Sequence, residues 1–175
     1  MLTRRAFHQA MGGLMTGAAV FALGQRRALA QPKPDAPAEK VILTITGQIA
    51  DKTGHAVFDR SKLEALGLVA FETATPWYAT RVKFEGVSMA ALLRAVGASG
   101  EMLSVTALND YKTEIPIEDF EKFGTILALK RDGNYLPVSD KGPLFIVYPF
   151  DQYPELKAQK FYSRSAWQVA RMEVK

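Results

Sequence analysis

The sequence predicts one α+β domain in which β-sheet dominates. Short segments rich in Val, Ile, Leu and Thr recur along residues 40–174, and only two short helical patterns interrupt them. Strands that alternate with long helices would indicate a doubly wound parallel sheet, and this sequence does not have that alternation. It also has no Gly-rich phosphate loop and no nucleophile elbow, so it does not resemble the common nucleotide-binding and hydrolase folds.

The first part of the domain is predicted to contain a strand and a short helix. The fold is expected to begin at Lys40, and the apolar residues of 41–46 form a strand that ends in the Asp51–Gly54 turn. Ser61–Glu64 has the form of a capping box, in which the serine and the glutamate satisfy the first backbone donors of a helix. Gly67 is predicted to end that helix.

A second, stronger helical pattern begins after Ser88, which is predicted to be its N-cap residue. Four apolar side chains then fall on one helix face before Gly97 ends the pattern, and that face is expected to pack in the core: Met89, Leu92, Leu93 and Val96. The other predicted strands cover residues 68–73, 81–85, 103–108, 112–115, 125–130, 144–148 and 167–174, with turns at Asn109-Asp110 and Asp132-Gly133.

Residues 1–30 have the pattern of a twin-arginine export signal. Arg4 and Arg5 precede an apolar, glycine-bearing stretch that is short for a membrane span, and Ala28-Leu29-Ala30 supplies small residues for cleavage. We therefore expect a periplasmic mature chain without a membrane span, made of a Pro-rich tether (31–39) and one domain (40–175). Because this pathway exports folded proteins, often with a cofactor already bound, the signal favours a cofactor-binding function.

The charge and composition exclude several classes of function. The chain has 22 Lys and Arg residues against 18 Asp and Glu, but four arginines lie in residues 1–30, which leaves 18 against 18. A neutral mature chain is not expected to bind nucleic acid. The sequence has no cysteine, which excludes a catalytic thiol, a cysteine metal ligand and an iron–sulfur cluster. His55 is the one histidine after the signal, so a multi-histidine metal site is excluded, and we expect His55 to be an ordinary polar residue.

A series of short motifs follows one another along the domain. In chain order they are Thr73-Ala74-Thr75-Pro76-Trp77, Phe84-Glu85-Gly86-Val87-Ser88, Ala107-Leu108-Asn109-Asp110-Tyr111, Leu127-Ala128-Leu129, Lys141-Gly142-Pro143-Leu144, Tyr148-Pro149 and Ser165-Ala166-Trp167-Gln168-Val169. Their order and spacing resemble the molybdopterin-binding domain of the sulfite oxidase family. The resemblance implies a sheet-rich α+β fold, as a single domain, that grips a pyranopterin whose dithiolene holds molybdenum, for transfer of an oxygen atom or of two electrons.

Two positions depart from the pattern of catalytic members. These members supply a cysteine thiolate to molybdenum from the segment before the Trp-containing stretch, where this chain has Thr73 and Thr75. A threonine hydroxyl is hard and normally protonated, so thiolate coordination cannot form. Catalytic members also commonly place an arginine where this chain has Phe145. A molybdopterin-type cofactor would therefore be held through its pterin and phosphate, with molybdenum either absent or in a non-cysteine environment, and we do not expect sulfite oxidation.

Eight residues are candidates for one cofactor-binding pocket: Thr73, Thr75, Trp77, Asn109, Asp110, Tyr111, Lys141 and Arg164. Trp77 offers a flat wall for a pterin, or it anchors the core. The Asn109–Tyr111 segment presents amide, carboxylate and phenol groups to a ligand, or forms only a turn. Lys141 approaches a phosphate, or only precedes a buried strand. Arg164 is the best-placed guanidinium for a phosphate or another anionic ligand, or it stacks on nearby aromatic rings.

Two classes of function remain open from the sequence. The first is a small periplasmic redox protein that binds a molybdopterin-type cofactor and exchanges electrons with a membrane partner. The second is a non-catalytic periplasmic module that uses the old cofactor cleft for a small anionic ligand or for a membrane sensor partner. Export of a folded chain favours the first class, whereas the absent thiolate and the absent arginine favour the second.

Overall fold

The computed structural model of the chain describes residues 40–175, whose strands form two five-stranded sheets. The sheet-rich α+β prediction is therefore confirmed. The predicted signal peptide (1–30) and tether (31–39) lie outside the described residues. Every helix in the described part of the chain falls short of the length and apolar character that a membrane crossing requires.

The first sheet has the strand order β2-β1-β10-β5-β6. Strands β1 and β10 are parallel, and the other neighbours are antiparallel. Along β5, buried side chains alternate with partly exposed ones, because one face of this sheet covers the core and the other faces solvent. The strands of this sheet are β1 (Leu43–Gly47), β2 (His55–Phe58), β5 (Met102–Ala107), β6 (Lys112–Pro116) and β10 (Val169–Val174).

The second sheet is antiparallel and has β7 at its centre. Strand β4 lies on one side of β7, and both β8 and β9 pair with the other side. The register between β4 and β7 shifts at Gly86, where a Cβ atom would lie 2.1 Å from the carbonyl oxygen of Leu127. Only glycine allows the two strands to approach this closely. The strands are β3 (Leu68–Thr73), β4 (Val82–Ser88), β7 (Ile126–Arg131), β8 (Asn134–Tyr135) and β9 (Phe145–Val147).

Four short helices connect the strands: α1 (Arg60–Glu64), α2 (Met89–Ala95), α3 (Glu118–Phe123) and α4 (Gln159–Arg164). Helix α2 is as predicted, because the Ser88 hydroxyl accepts the N–H of Ala91 and the apolar face is buried. The capping box predicted at Ser61 is wrong. Helix α1 starts two residues earlier, and its N-cap is Asp59, whose carboxylate accepts the N–H of Lys62 at 2.8 Å.

The apolar side chains form two clusters on opposite faces of the second sheet. On β7, Leu127 and Leu129 belong to the main core, which also contains the inward side chains of the first sheet and of the helices. Ile126 and Ala128 point the other way, into a smaller cluster. The partly buried rings packed against that smaller cluster are Phe71, Trp77, Tyr78 and Trp167. The second sheet is thus covered on both faces, and aromatic rings close its outer side.

Candidate functional site

A cavity of about 250 Å³ lies beside these rings. Three segments that are distant in sequence line it: the β3–β4 loop, the β5–β6 turn, and α4 with the residues that follow it. The lining residues are Trp77, Asn109, Tyr111, Gln159, Tyr162, Ser163, Ser165 and Trp167. Because its residues come from connections rather than from strand interiors, the cavity has the usual position of a binding site on a rigid scaffold.

The wall of the cavity is a cluster of aromatic rings centred on Trp77. The Trp77 ring meets Phe145, Trp167 and Tyr162 in edge-to-face contacts, with centroid distances of 5.5, 5.7 and 6.1 Å. Such contacts are favourable beyond the burial of area, and they fix the ring planes. Trp77 therefore anchors the smaller core cluster and also lines the cavity, and its role as a wall for a pterin stays a prediction.

The rim of the cavity is polar but uncharged. The side-chain oxygen of Asn109 accepts the N–H of Tyr111 at 3.2 Å, which closes an Asx turn. The Tyr111 hydroxyl donates to the carbonyl oxygen of Ser163 at 2.9 Å and so ties the β5–β6 turn to α4. Gln159 adds a second amide. Amide, hydroxyl and aromatic groups dominate the lining, and no Lys, Arg, Asp or Glu side chain takes part in it.

The β3–β4 loop is held at both ends by Asp151. The Asp151 carboxylate accepts the N–H of Ala74 and a guanidinium N–H of Arg81, both at 2.6 Å. The N–H of Ala74 and then the Arg81 guanidinium lower the pKa of Asp151 below its usual value. The backbone N–H of Asp151 in turn donates to the Thr73 hydroxyl at 3.1 Å. One residue thus fixes the loop that carries Trp77.

The two threonines in the thiolate segment differ in their bonding. Thr73 is fully buried, and its hydroxyl accepts from Asp151 and donates to the carbonyl oxygen of Ala74 at 3.3 Å. Thr75 is 9% exposed, and its hydroxyl has no hydrogen-bond partner among the described residues. Buried hydroxyl groups are nearly always bonded, so this group is an exception that costs stability in the ligand-free chain.

Arg164 does not line the cavity, and its side chain is paired with a buried acid. Its guanidinium donates to Asp119 at 2.7 Å, and the Tyr148 hydroxyl donates to the same carboxylate oxygen at 3.0 Å. Asp119 and Tyr148 are both buried. Burial, and then the Asp119 charge, raise the pKa of Tyr148 far above its usual value. Arg164 also lies over the ring of Phe161 rather than over Tyr162 or Trp167. Its guanidinium serves the fold, as the counter-ion of a buried carboxylate.

The structure brings together three of the eight candidate residues and places the other five elsewhere. Trp77, Asn109 and Tyr111 line the cavity. Lys141 holds its ammonium 4.6 Å from the centroid of the Tyr78 ring, and Asp110 forms an exposed ion pair with Arg171 at 3.7 Å. The convergence of all eight on one pocket, as expected from the sequence, is thus not found, because Thr73, Thr75, Asp110, Lys141 and Arg164 do not line the cavity. The part that any of the eight plays in ligand binding stays a prediction.

Five lining residues were missed as candidates: Gln159, Tyr162, Ser163, Ser165 and Trp167. Trp167 could have been found, because it stands in one of the family-like motifs and has the same flat, partly polar side chain as Trp77. Gln159 and Ser163 belong to α4, which the sequence did not predict, and no local pattern marks their positions.

Three turns beside the cavity are bonded to one another. Asp110, Lys141 and Gln168 each adopt a left-handed backbone conformation, with φ of 61°, 64° and 54°. Non-glycine residues seldom do so, and such residues are frequent at functional sites. The N–H of Gln168 donates to the carbonyl of Lys141 at 3.1 Å, and the Gln168 carbonyl accepts the N–H of Leu108 at 2.8 Å. We call residues 108–111, 138–141 and 167–168 the joined turns.

Phe145 stands where catalytic members of the family that the sequence resembles commonly have an arginine. Its side chain is fully buried and packs edge-to-face on Phe84 as well as on Trp77 and Trp167. An arginine here would bury an unpaired charge in the smaller cluster, at a large cost in stability. This position therefore belongs to the aromatic wall and offers no cation to a ligand.

Comparison with known families shows the family to which the chain belongs. The model of the oxidoreductase molybdopterin binding domain matches residues 56–152. The chain belongs to this family. That range includes the β3–β4 loop and the β5–β6 turn, which supply Trp77, Asn109 and Tyr111 to the cavity. The family is that of domains that bind a molybdopterin-type cofactor.

A solved structure confirms the fold of this molybdopterin-binding domain. The chain is similar to the sulfane dehydrogenase SoxCD from Paracoccus pantotrophus, with a TM-score of 0.59 and 16% identity. The similarity covers 75% of this chain but 37% of the SoxCD chain, so the present chain spans little more than a third of that protein's length. At this identity, the likeness concerns the fold alone. A comparison with curated proteins gives no match.

The residues of this molybdopterin-binding domain fit a pterin ring and do not fit a protein-ligated metal. Aromatic walls and amide groups suit a flat heterocycle with several donors and acceptors. A thiolate ligand to molybdenum is not available, because the chain has no cysteine and has threonines in the corresponding segment. Within residues 40–175, no group of three or more His, Cys, Asp or Glu side chains is arranged to hold a metal ion.

Proposed function

We propose that this chain is an exported pterin-binding module of the molybdopterin-binding oxidoreductase domain family, which holds its cofactor without a protein ligand to the metal. The cavity lined by Trp77 and Trp167 carries this proposal, since it combines two indole side chains with amide groups. Because the two indole planes are inclined by 72°, one ring would stack on the pterin and the other would contact its edge, where Asn109 and Gln159 would also bond it.

The absence of charge in the cavity lining further limits the proposal. A cofactor phosphate or dithiolene would find no Lys or Arg among the lining residues, and the Arg164 guanidinium is committed to Asp119. Recognition would therefore rest on the heterocycle, with the anionic parts directed to solvent. When bound, the cofactor supplies oxygen-atom or electron transfer, and the chain's own residues orient the ring and exclude water from its faces.

Intrinsic fluorescence tests the pocket directly. The chain contains two tryptophans, and both line the cavity, so stacking of a pterin on them should quench their emission. We expect titration with a reduced, metal-free pterin to give saturable quenching, and we expect Asn109→Leu to weaken it. A matched control is Asn134→Leu, which removes an amide that does not line the cavity. Quenching that is absent, or equal in both variants, would overturn the pocket assignment.

Purification of the chain after export tests whether it carries a cofactor. We expect chain recovered from the periplasm to carry pterin that is detectable after oxidation, whereas chain made without residues 1–30 in cells unable to make molybdopterin should carry none. Molybdenum analysis of both samples then reports whether a metal accompanies the pterin. A folded, exported chain with neither pterin nor molybdenum would contradict the proposal and would favour a module that binds another ligand or a sensor partner.

A further inference from the structure

A second concavity, distinct from the cavity described above, lies on the other side of the joined turns. This groove has a volume of about 440 Å³. It is lined by the start of the fold, by α1, by two of the joined turns and by β10. The lining residues are Lys40, Val41, Ile42, Leu43, Thr44, Arg60, Leu108, Val138, Pro143, Ala170 and Arg171.

Three exposed apolar side chains line the groove, and we call these three its floor. Val41, Leu108 and Val138 are 47%, 54% and 52% exposed, although each is a large hydrophobic side chain. A single exposed hydrophobic residue is ordinary on a protein surface. Three of them that line one groove, together with Pro143, form a contiguous apolar surface of the kind found where a partner binds.

The rim of the groove is basic. Lys40, Arg60 and Arg171 line it, and its lining includes no carboxylate. Among the described residues, Asp110 pairs with Arg171 at 3.7 Å through two exposed side chains and therefore neutralises that cation only weakly. Residues 31–175 carry equal numbers of basic and acidic side chains, so this excess of positive charge is local.

A β-bulge lies on the β10 side of the groove. The register between β10 and β5 shifts between Val169 and Arg171, so Ala170 is the extra residue. Without the bulge, strict alternation from Met172 would turn Ala170 into the core and Val169 outward. With it, Val169 and Met172 are both buried, and Arg171 faces the groove. The bulge thus keeps Val169 in the core and brings Ala170 to the groove beside Arg171, which faces outward next to the buried Met172.

We propose that the groove binds an acidic segment of a partner protein, which places an aliphatic or aromatic side chain on the floor and carboxylates against the rim. The charge of the rim selects acidic partners, and the apolar floor supplies an anchor of the kind that dominates binding energy at small interfaces. The concave shape suits an inserted side chain, whereas attachment to a lipid surface needs apolar groups that protrude. This inference rests on the groove and does not depend on a cofactor in the cavity.

Amide chemical-shift mapping on the exported, processed chain tests the proposal. The probe is a capped peptide, Asp-Glu-Asp-Leu-Phe-Glu-Asp-Glu, compared with a peptide in which Lys replaces each acid and with one in which Ser replaces Leu and Phe. We expect the first peptide alone to shift the amides of Val41, Leu108 and Arg171, with saturation. The shifts should weaken as salt is raised from low concentration to about 0.15 M, where the screening length is about 8 Å.

Two surface variants and matched controls locate the binding. Leu108→Asp should weaken peptide affinity by about tenfold or more, and Arg60→Glu combined with Arg171→Glu should do the same. Val69→Asp and Lys52→Glu change an exposed apolar residue and an exposed cation outside the groove, so we expect them to leave affinity unchanged. All of these positions are exposed, so unfolding is not expected, and the amide spectrum itself reports whether each variant is folded.

Several outcomes would overturn the proposal. One is the absence of shifts with the acidic peptide, and another is equal binding of the lysine peptide. If the same amides shift with protein concentration and no peptide, the occupant is a second copy of the chain. Shifts that require vesicles of phosphatidylserine and phosphatidylcholine, and that peptide does not produce, would show a lipid surface instead. Loss of affinity in Val69→Asp as large as in Leu108→Asp would place the binding elsewhere.

Discussion

The guanidinium of Arg164 donates to the buried carboxylate of Asp119 across 2.7 Å, and this contact joins the end of α4 to α3. Tyr148, the residue after β9, completes the arrangement, since its hydroxyl donates to the same oxygen. Helix α4 supplies much of the cavity wall. The contact between Arg164 and Asp119, at the end of this helix, therefore fixes the position of side chains that line the cavity.

Removal of the Arg164 side chain should destabilise the fold. Arg164→Ala would leave Asp119 buried and uncompensated, and we expect a loss of about 3–5 kcal/mol in the free energy of unfolding. Urea denaturation measures it. Arg171→Ala, which breaks an exposed pair, is the control and should change stability by less than about 1 kcal/mol. If Arg164→Ala were as mild as the control, Asp119 would not need its counter-ion.

Thr73 at the end of β3 and Thr75 in the β3–β4 loop should respond differently to replacement by valine. Thr73→Val removes a hydroxyl that both accepts and donates, so we expect it to cost about 1–3 kcal/mol. Thr75→Val removes a buried hydroxyl without a partner, so we expect the ligand-free chain to be unchanged or more stable. Thermal unfolding of the pair measures the difference. A loss on Thr75→Val as large as on Thr73→Val would show that the Thr75 hydroxyl is bonded.

The contacts of the Asp151 carboxylate predict how the free energy of unfolding changes at acid pH. The folded pKa of Asp151 is depressed, so its contribution is complete above the unfolded pKa of about 3.9 and is lost as pH falls toward the lower, folded value. Asp151→Asn should therefore lower stability at neutral pH, and the gap from the native chain should close below about pH 4. Urea unfolding at a series of pH values measures this gap. A gap independent of pH would mean that the charge of Asp151 does not matter.

Helix α2 should be essential to the main core. Leu92 is fully buried, and we expect Leu92→Ala to cost about 2–5 kcal/mol of unfolding free energy. Arg94, two residues further on the exposed face of the same helix, provides the comparison, because Arg94→Ala should stay within about 0.5 kcal/mol. Chemical denaturation of both variants under one set of conditions distinguishes core packing from an effect of helix propensity.

The paired arginines should decide the export route. Replacement of Arg4 and Arg5 by lysine keeps the charge but removes the motif, and we expect it to leave unprocessed precursor in the cytoplasm. Immunoblots of periplasmic and cytoplasmic fractions measure processing. Replacement of Arg26 and Arg27 by lysine serves as the control, because those residues lie outside the motif. Normal processing of the first variant would exclude the twin-arginine pathway.

The fold was predictable where the pattern that specifies it is local. Alternating apolar residues marked most of the strands, and the cap at Ser88 with its apolar face marked α2. Helices α3 and α4 were missed, as was β2, since each is six residues or shorter and the packing of Phe120, Phe123 and Phe161 against the core stabilises the two helices more than propensity does. The cap of α1 was misassigned because serine and aspartate are equally good N-caps two residues apart.

The site was predictable only in part, because its contacts join residues distant in sequence. Trp77, Asn109 and Tyr111 were found from motif and side-chain chemistry. The role of Arg164 was not, since its partner Asp119 is 45 residues away and no sequence pattern marks the pair. The bulge at Ala170 was also invisible, because it depends on the register of β10 against β5.

The joined turns have a mechanical consequence. Leu108 lines the groove and Asn109 lines the cavity, and they are consecutive residues on one turn that is bonded to the other two. Both concavities therefore take part of their lining from one short turn, so a change in the backbone of that turn alters both surfaces at once.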